Sequence, residues 1–199
     1  MTTTRRHPEL DTAGRTDAVV ENDVVTSPAA RKALAVLRIG FGFTFVWAFF
    51  DKLLALGFHT GYDQDGVLDR FGDAAWINGG SPTEGFLAFG VNPDSPFAGF
   101  FNGLAGYAIV DWMFMLGLLA IGTALILGIG MRFAAVAGAA LYLMMYAAVM
   151  VPENNPIFDD HLLGAITVIV LALTLAGDTW GAGKAWAKTR LVRQYGFLR

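Results

Sequence analysis

Four apolar stretches constrain this chain more than anything else in it. Residues 33–56, 112–130 and 162–177 approach or exceed the roughly 20 apolar residues that cross a hydrocarbon core of about 30 Å. A fourth stretch, 133–151, follows the second after a single arginine, Arg132. Composition agrees: 55% of the 199 residues are hydrophobic and 16% are charged, against roughly 25% charged in soluble domains. The expected fold is an all-α integral membrane four-helix bundle. That leaves residues 1–32 as a disordered cytoplasmic tail, 33–178 as the four-span domain and 179–199 as a basic interfacial tail.

Cations set the expected orientation, because Lys and Arg collect in short cytoplasmic segments. Arg5, Arg6, Arg15, Arg31 and Lys32 precede the first span, Arg132 sits between the second and third, and Lys184, Lys188, Arg190, Arg193 and Arg199 follow the fourth. Asp63, Asp65, Asp69, Asp73, Glu84 and Asp94, with Arg70, lie in the long loop after the first span, and Glu153, Asp159 and Asp160 lie in the last hairpin. Both termini are therefore expected in the cytoplasm of a prokaryotic cell whose plasma membrane the chain spans several times. Residues 1–32 lack the apolar core of a signal peptide, so the first span would act as an uncleaved anchor.

The loop of residues 58–107 is long and aromatic, with Phe58, Tyr62, Phe71, Trp76, Phe86, Phe89, Phe97, Phe100 and Phe101. Loops of that length are usually functional or disordered, and rings favour the membrane interface. The expectation is an extracytoplasmic cap over the outer end of the bundle. Ser95 and Pro96 read as the start of a short helix leading into the second span. Small residues for close helix approach are present as Gly40, Gly42, Gly117, Gly122, Ala134, Ala135, Gly138 and Ala139. The basic tail, with Trp186, Tyr195 and Phe197 among its cations, reads as a segment lying on anionic lipid rather than on nucleic acid.

At 100° per residue the fourth span aligns Asp160, Gly164, Thr167, Leu171, Thr174 and Asp178, and the first aligns Arg38, Gly42, Phe45, Phe49 and Lys52. Charges inside a membrane tend to face the bundle and pair. The first and fourth spans are accordingly expected to be neighbours, with Lys52 near Asp160 and Arg38 near Asp178. Arg38 has two other readings: it snorkels about two turns, ~10 Å, to the headgroups, or it acts on a ligand.

The last hairpin places Asp159, Asp160 and His161 at the outer mouth of the fourth span, after an expected cap and first helical position at Asn155 and Pro156. Helix dipole and cap explain Asp159. His161 is either a hydrogen-bonded structural residue or a group that exchanges protons near neutral pH. Asp51 beside Lys52, and Asp111 beside Trp112, place further acids at the same end. Thr44, Thr123, Tyr142, Tyr146, Thr167 and Thr174 are the polar groups at mid-depth, too few for an ion path. With only His7, His59 and His161 and no cysteine, neither an intramembrane haem nor a cysteine-ligated cluster is expected. The "DQDGVLD" run departs from calcium-loop spacing, and no metal is assigned.

"LRIGFGFTFVWAFFDKLLALGF" in the first span, "LILGIGMRFAA" between the second and third, and "ENNPIFDDHLLGAITVIVLALTLAGDTWG" at the fourth together resemble the DoxX/DoxD family of small four-helix membrane proteins. The ordered set Arg38, Lys52, Arg132 and Asp160 carries the resemblance, which covers neither the N-terminal tail nor most of the long loop. It implies a membrane subunit linked to quinone chemistry, DoxD-type members being associated with thiosulfate:quinone oxidoreductase. Many DoxX members carry an acid in the second helix where this chain has Leu118, with Asp111 two turns nearer the outer surface as the only substitute.

Two functions follow. In the first, quinone is held at the outer end, Lys52 stabilises anionic charge, and His161 with Asp160 passes protons, while Arg38, Asp178, Asp51, Asp111 and Asp159 bind ligand or form ion pairs. In the second, the chain is a non-catalytic accessory subunit that tethers protein partners in a larger respiratory or detoxifying membrane complex.

Overall fold

A computed structural model of the chain describes residues 19–62, 65–152 and 155–199. A short helix, α1 (Glu21–Val24), precedes α2 (Pro28–Leu54); a one-turn 3-10 helix at Trp76–Asn78, a π turn at Phe86–Gly90 and α3 (Ala98–Asn102) punctuate the long loop. Then come α4 (Ala108–Leu127), α5 (Met131–Ala148), α6 (Asp160–Leu173), α7 (Gly183–Ala187), α8 (Arg190–Gln194) and a final 3-10 turn at Gly196–Leu198. The described residues contain no strand, only an isolated bridge between Tyr62 and Leu68.

Three helices, α2, α4 and α5, are long and apolar enough to cross a membrane. The fourth apolar helix, α6, is shorter than its sequence window: its 14 residues extend about 21 Å. It stops because Leu175 adopts a left-handed conformation, φ +53°, and turns the chain. Asp178 therefore lies beyond the helix, not on its face.

Helix starts follow capping chemistry. Ser27 accepts the Ala30 N–H ahead of Pro28 at the first position of α2. α6 begins four residues after the expected Asn155–Pro156 start, because Asp159 is its cap and accepts the Leu162 N–H at 2.9 Å. Asn155 instead closes a turn, its Oδ1 accepting the N–H groups of Ile157 and Phe158. Ser95 likewise lies ahead of α3 rather than capping it, donating to Ala147 O at 2.7 Å and accepting the Phe97 N–H.

Lipid gives apolar helices no hydrophobic reason to associate, so close approach has to hold them together. α2 and α4 cross at Gly42 and Gly122, where a Cβ on either would stand 2.9 Å from the other's carbonyl oxygen. Gly40 and Gly117 take no part in such a contact, having nothing within 4 Å of a built Cβ. α5 lays Ala134, Ala135, Gly138 and Ala139 against α6, whose Ala165, Val168 and Leu171 are buried. α4 also packs on α5, whereas α2 and α6 touch only lightly. The expected pairing of the first and fourth spans is thus replaced by two tight pairs, α2 with α4 and α5 with α6.

The tail departs from expectation as well. Residues 1–18, with Arg5, Arg6, His7 and Arg15, lie outside the described residues, as do Asp63, Gln64, Glu153 and Asn154. Within the expected tail, residues 21–24 form α1 and α2 begins at Pro28, and Glu21 in α1 is 1% exposed. Its N–H donates to Asp178 and its carboxylate accepts from the Thr179 hydroxyl. A polar composition reads as disorder unless its long-range partners are known, and both partners lie more than 150 residues away.

Candidate functional site

The two ends of the helices carry different charge chemistry. At the end formed by the start of α2 and the turn after α6, Arg38 is fully buried. Its guanidinium donates to the carbonyls of Ala176 (3.0 Å), Ile126 (2.8 Å), Thr179 (3.2 Å), Trp180 (3.1 Å) and Leu125. Arginine's planar fork supplies five N–H donors, and here they satisfy carbonyls left open where α4 and α6 end. Neither snorkelling nor a pair with Asp178 describes it. Asp178, 7% exposed, instead accepts from the Glu21 N–H and from Arg199, both at 3.0 Å. Burial pushes the Glu21 carboxyl above its ordinary range, with Asp178 adding to the effect and the Thr179 hydroxyl, Arg31 and Lys184 opposing it. One Glu21 oxygen, Oε1, has no hydrogen-bond partner among the described residues.

At the other end, two acids expected to bind ligand fasten the long loop. Asp51, 1% exposed, accepts the N–H groups of Phe58 (3.1 Å) and His59 (3.0 Å) and so fixes the loop's first turn. Asp111 accepts from Ser81 Oγ (2.8 Å), Thr83 Oγ1 (2.6 Å) and Thr83 N (3.2 Å), fixing the loop's middle on α4. Asp111 is therefore committed, and Leu118 beneath it is a core residue at 4% exposure.

Asp159, Asp160 and His161 come together at the head of α6, their ligand atoms within 4.8 Å of one another. The His161 Nδ1 stands 2.6 Å from Asp159 Oδ2 and 3.7 Å from Asp160 Oδ1. Since an ionised carboxylate only accepts, Nδ1 carries the proton in this contact. Burial raises the Asp159 carboxyl, but the Leu162 N–H and the His161 ring outweigh it and hold the group below the usual carboxylate range. The Asp160 side chain is 93% exposed.

Lys52 makes no ion pair among the described residues, so the expected contact with Asp160 is not formed. It lines a groove of about 310 Å³ with Phe43, Thr44, Trp47, Ala48, Asp51 and His59. All but His59 come from α2, at i, i+3 and i+4 spacings that form one stripe along its C-terminal half. Phe43 stacks on Trp47 with centroids 5.9 Å apart, and Trp47 meets Phe58 edge-on at 5.0 Å. The groove therefore has an aromatic wall and a cation at one end.

Tyr142 of α5 fills the light seam between α2 and α6. Its ring packs edge-on against Phe45 at 5.4 Å and Phe41 at 6.4 Å. It also lies over Gly164, where a Cβ would come 2.7 Å from the ring. Its ring thus stands between α2 and α6.

The expected site residues thus fall into three groups, with Asp111 apart on α4 holding the loop: Lys52 with Asp51 in the groove, Asp159 with Asp160 and His161 at the head of α6, and Arg38 with Asp178 at the opposite end. Sequence reasoning named Thr44, Tyr142 and His59 without joining them, and passed over Trp47, Glu21 and the Arg199 contact. The α2 stripe was available as a second periodic face beside the one carrying Arg38, hidden because most of its members are ordinary membrane residues. Comparisons of the chain with family models, curated proteins and solved structures find no match.

Proposed function

We propose that the chain spans a prokaryotic plasma membrane four times with both ends cytoplasmic, and serves as the membrane subunit of a quinone-linked oxidoreductase that holds quinone in the α2 groove. The observation that carries this reading is the groove itself: an aromatic wall of Phe43 and Trp47 along an apolar helix, with Lys52, which makes no ion pair among the described residues, at its far end. Flat rings stack on such a wall, and a carbonyl oxygen gaining negative charge is stabilised by an ammonium in a medium that screens poorly. The short α6 is read as the fourth span. The resemblance to DoxX/DoxD proteins adds the reaction class, with a sulfur compound such as thiosulfate as electron donor.

Quinone would supply acceptance of two electrons and two protons. Within that reading, Lys52 binds the ring oxygen, while the Thr44 hydroxyl stays bonded to Phe41 O at 2.7 Å. Trp47 and Phe43 keep water from the buried face. Asp160 and His161 exchange protons with the outer aqueous side.

The test uses the full chain in lipid nanodiscs. Titration with a short-tailed quinone quenches tryptophan fluorescence saturably, and Lys52→Gln weakens binding about tenfold, the scale of one lost charged hydrogen bond. Quinone reduction with thiosulfate as donor, and its loss in His161→Ala, then tests the chemistry. Absence of saturable quenching removes the quinone reading. Binding without reduction selects the second reading, a non-catalytic accessory subunit, which the commitment of Asp51 and Asp111 to the loop and the 89% exposure of Phe89 on it favour.

A further inference from the structure

We propose that the segment from α7 to the final 3-10 turn is a preformed docking surface for anionic phospholipid headgroups. The inference needs the apolar helices to lie in a bilayer with this end at its surface, and it is independent of what occupies the groove on α2.

The surface has a fixed shape. Trp186 Nε1 donates to Leu198 O at 2.8 Å, Arg199 holds Asp178 at 3.0 Å, and Val192 is buried at 5% exposure. Phe197 packs against Phe133 of α5 with centroids 6.0 Å apart, tying the segment to the helices. Ordering cost is therefore already met before any headgroup arrives.

What this fold leaves outside is basic. Lys184, Lys188, Arg190 and Arg193 are exposed, and Arg132 of α5 joins them, donating to Gly196 O. Residues 179–199 contain no aspartate or glutamate, and Asp178 before them is buried and paired. Exposed apolar groups lie among these cations: Trp180 at 59%, Leu191 at 49% and Phe197 at 57%. Rings and aliphatic side chains interleaved with Lys and Arg match the headgroup region, where each finds its own solvent. A free phosphate would use the cations and have no use for the rings.

The length of α6 points the same way. Its 14 residues reach about 21 Å, short of a hydrocarbon core of about 30 Å. A segment that follows so short a helix is drawn to the level of the headgroups, not held clear of them.

The test places the full chain in nanodiscs of phosphatidylcholine and phosphatidylglycerol in equal amounts, transfers it to mild detergent, and counts retained lipids by native mass spectrometry. Phosphatidylglycerol is retained about tenfold over phosphatidylcholine. Each single Gln substitution among the four cations lowers the ratio about twofold, the share of one of four cations in a tenfold preference, and Lys184→Gln/Lys188→Gln/Arg190→Gln/Arg193→Gln brings it close to one. Arg70→Gln in the outer loop removes one charge at the other end and leaves the ratio unchanged. Should the quadruple variant fail to fold, a salt series on the unmodified chain serves, since raising KCl to about 1 M shortens screening to ~3 Å and collapses the preference. Equal retention of the two lipids by the unmodified chain, or a preference that survives the substitutions and the salt, overturns the proposal. Displacement of the anionic lipid by millimolar inorganic phosphate also overturns it, assigning the surface to free phosphate.

Discussion

Arg38 and Lys52 lie on the same helix, fourteen positions apart, and face opposite fates. Arg38 is enclosed and gives its donors to five backbone carbonyls. Lys52 is half-buried, has no ion pair among the described residues and borders a groove. A buried charge whose partners are all backbone is a structural fastening, because nothing remains for a ligand to take. A charge with apolar walls and no partner is the position where a ligand's charge would be compensated. The difference separates the two ends of the molecule into one that holds the fold and one available for chemistry.

Arg38→Met tests the fastening most severely. It orphans carbonyls at the ends of both α4 and α6, and is expected to cost about 3 to 5 kcal/mol. Thermal unfolding in detergent reads this as loss of a monodisperse folded species. Survival at wild-type temperature would remove the distinction between the ends. Gly122→Val tests whether the α2–α4 crossing carries both ends alike. With the Gly42 carbonyl oxygen 2.9 Å from a built Cβ, it should destabilise by about 1 to 3 kcal/mol. Asp111→Ala, leaving the Thr83 N–H unpaired at 3.2 Å from the lost oxygen, should cost about 2 kcal/mol and speed proteolysis of the loop.

The pH dependence sharpens the same comparison. The folded Glu21 carboxyl lies above its unfolded value, so the folded state binds more protons in the window between them. Stability from this group is full below the unfolded value of about 4.3 and is lost as pH rises through the folded one. The difference in unfolding temperature between the unmodified chain and Glu21→Gln should carry that slope. A flat difference would mean that α1 is not docked in solution. At the head of α6, Asp159 is depressed, so its contribution is present above its unfolded value and is lost as pH falls through the folded one. The smallest effect belongs to Lys52→Gln, whose stability should move within about 0.5 kcal/mol while quinone binding falls.

Three apolar helices and most of an inward face on α2 were legible. Of Arg38, Gly42, Phe45, Phe49 and Lys52, which align at helical spacing, the first four are buried and Lys52 is half-buried. Periodicity reports a face because it is local. It says nothing of which helix meets that face, so α2 goes to α4 where the charges argued for α6. Opposite charges were read as pairs, yet Arg38 found carbonyls and Asp178 found Arg199, since a helix end presents acceptors that composition does not display. The outer acids misled for a related reason: Asp51 and Asp111 bond to loop N–H and hydroxyl groups whose approach depends on the loop's folded path. His161 beside Asp159 was readable because both belong to one helical turn.

The seam between α2 and α6 is closed by the Tyr142 ring lying over Gly164, not by helix against helix. The distance between those two helices is thus set by one ring and by the residue beneath it, since a side chain at position 164 would need the space that the ring fills, its Cβ coming 2.7 Å from it.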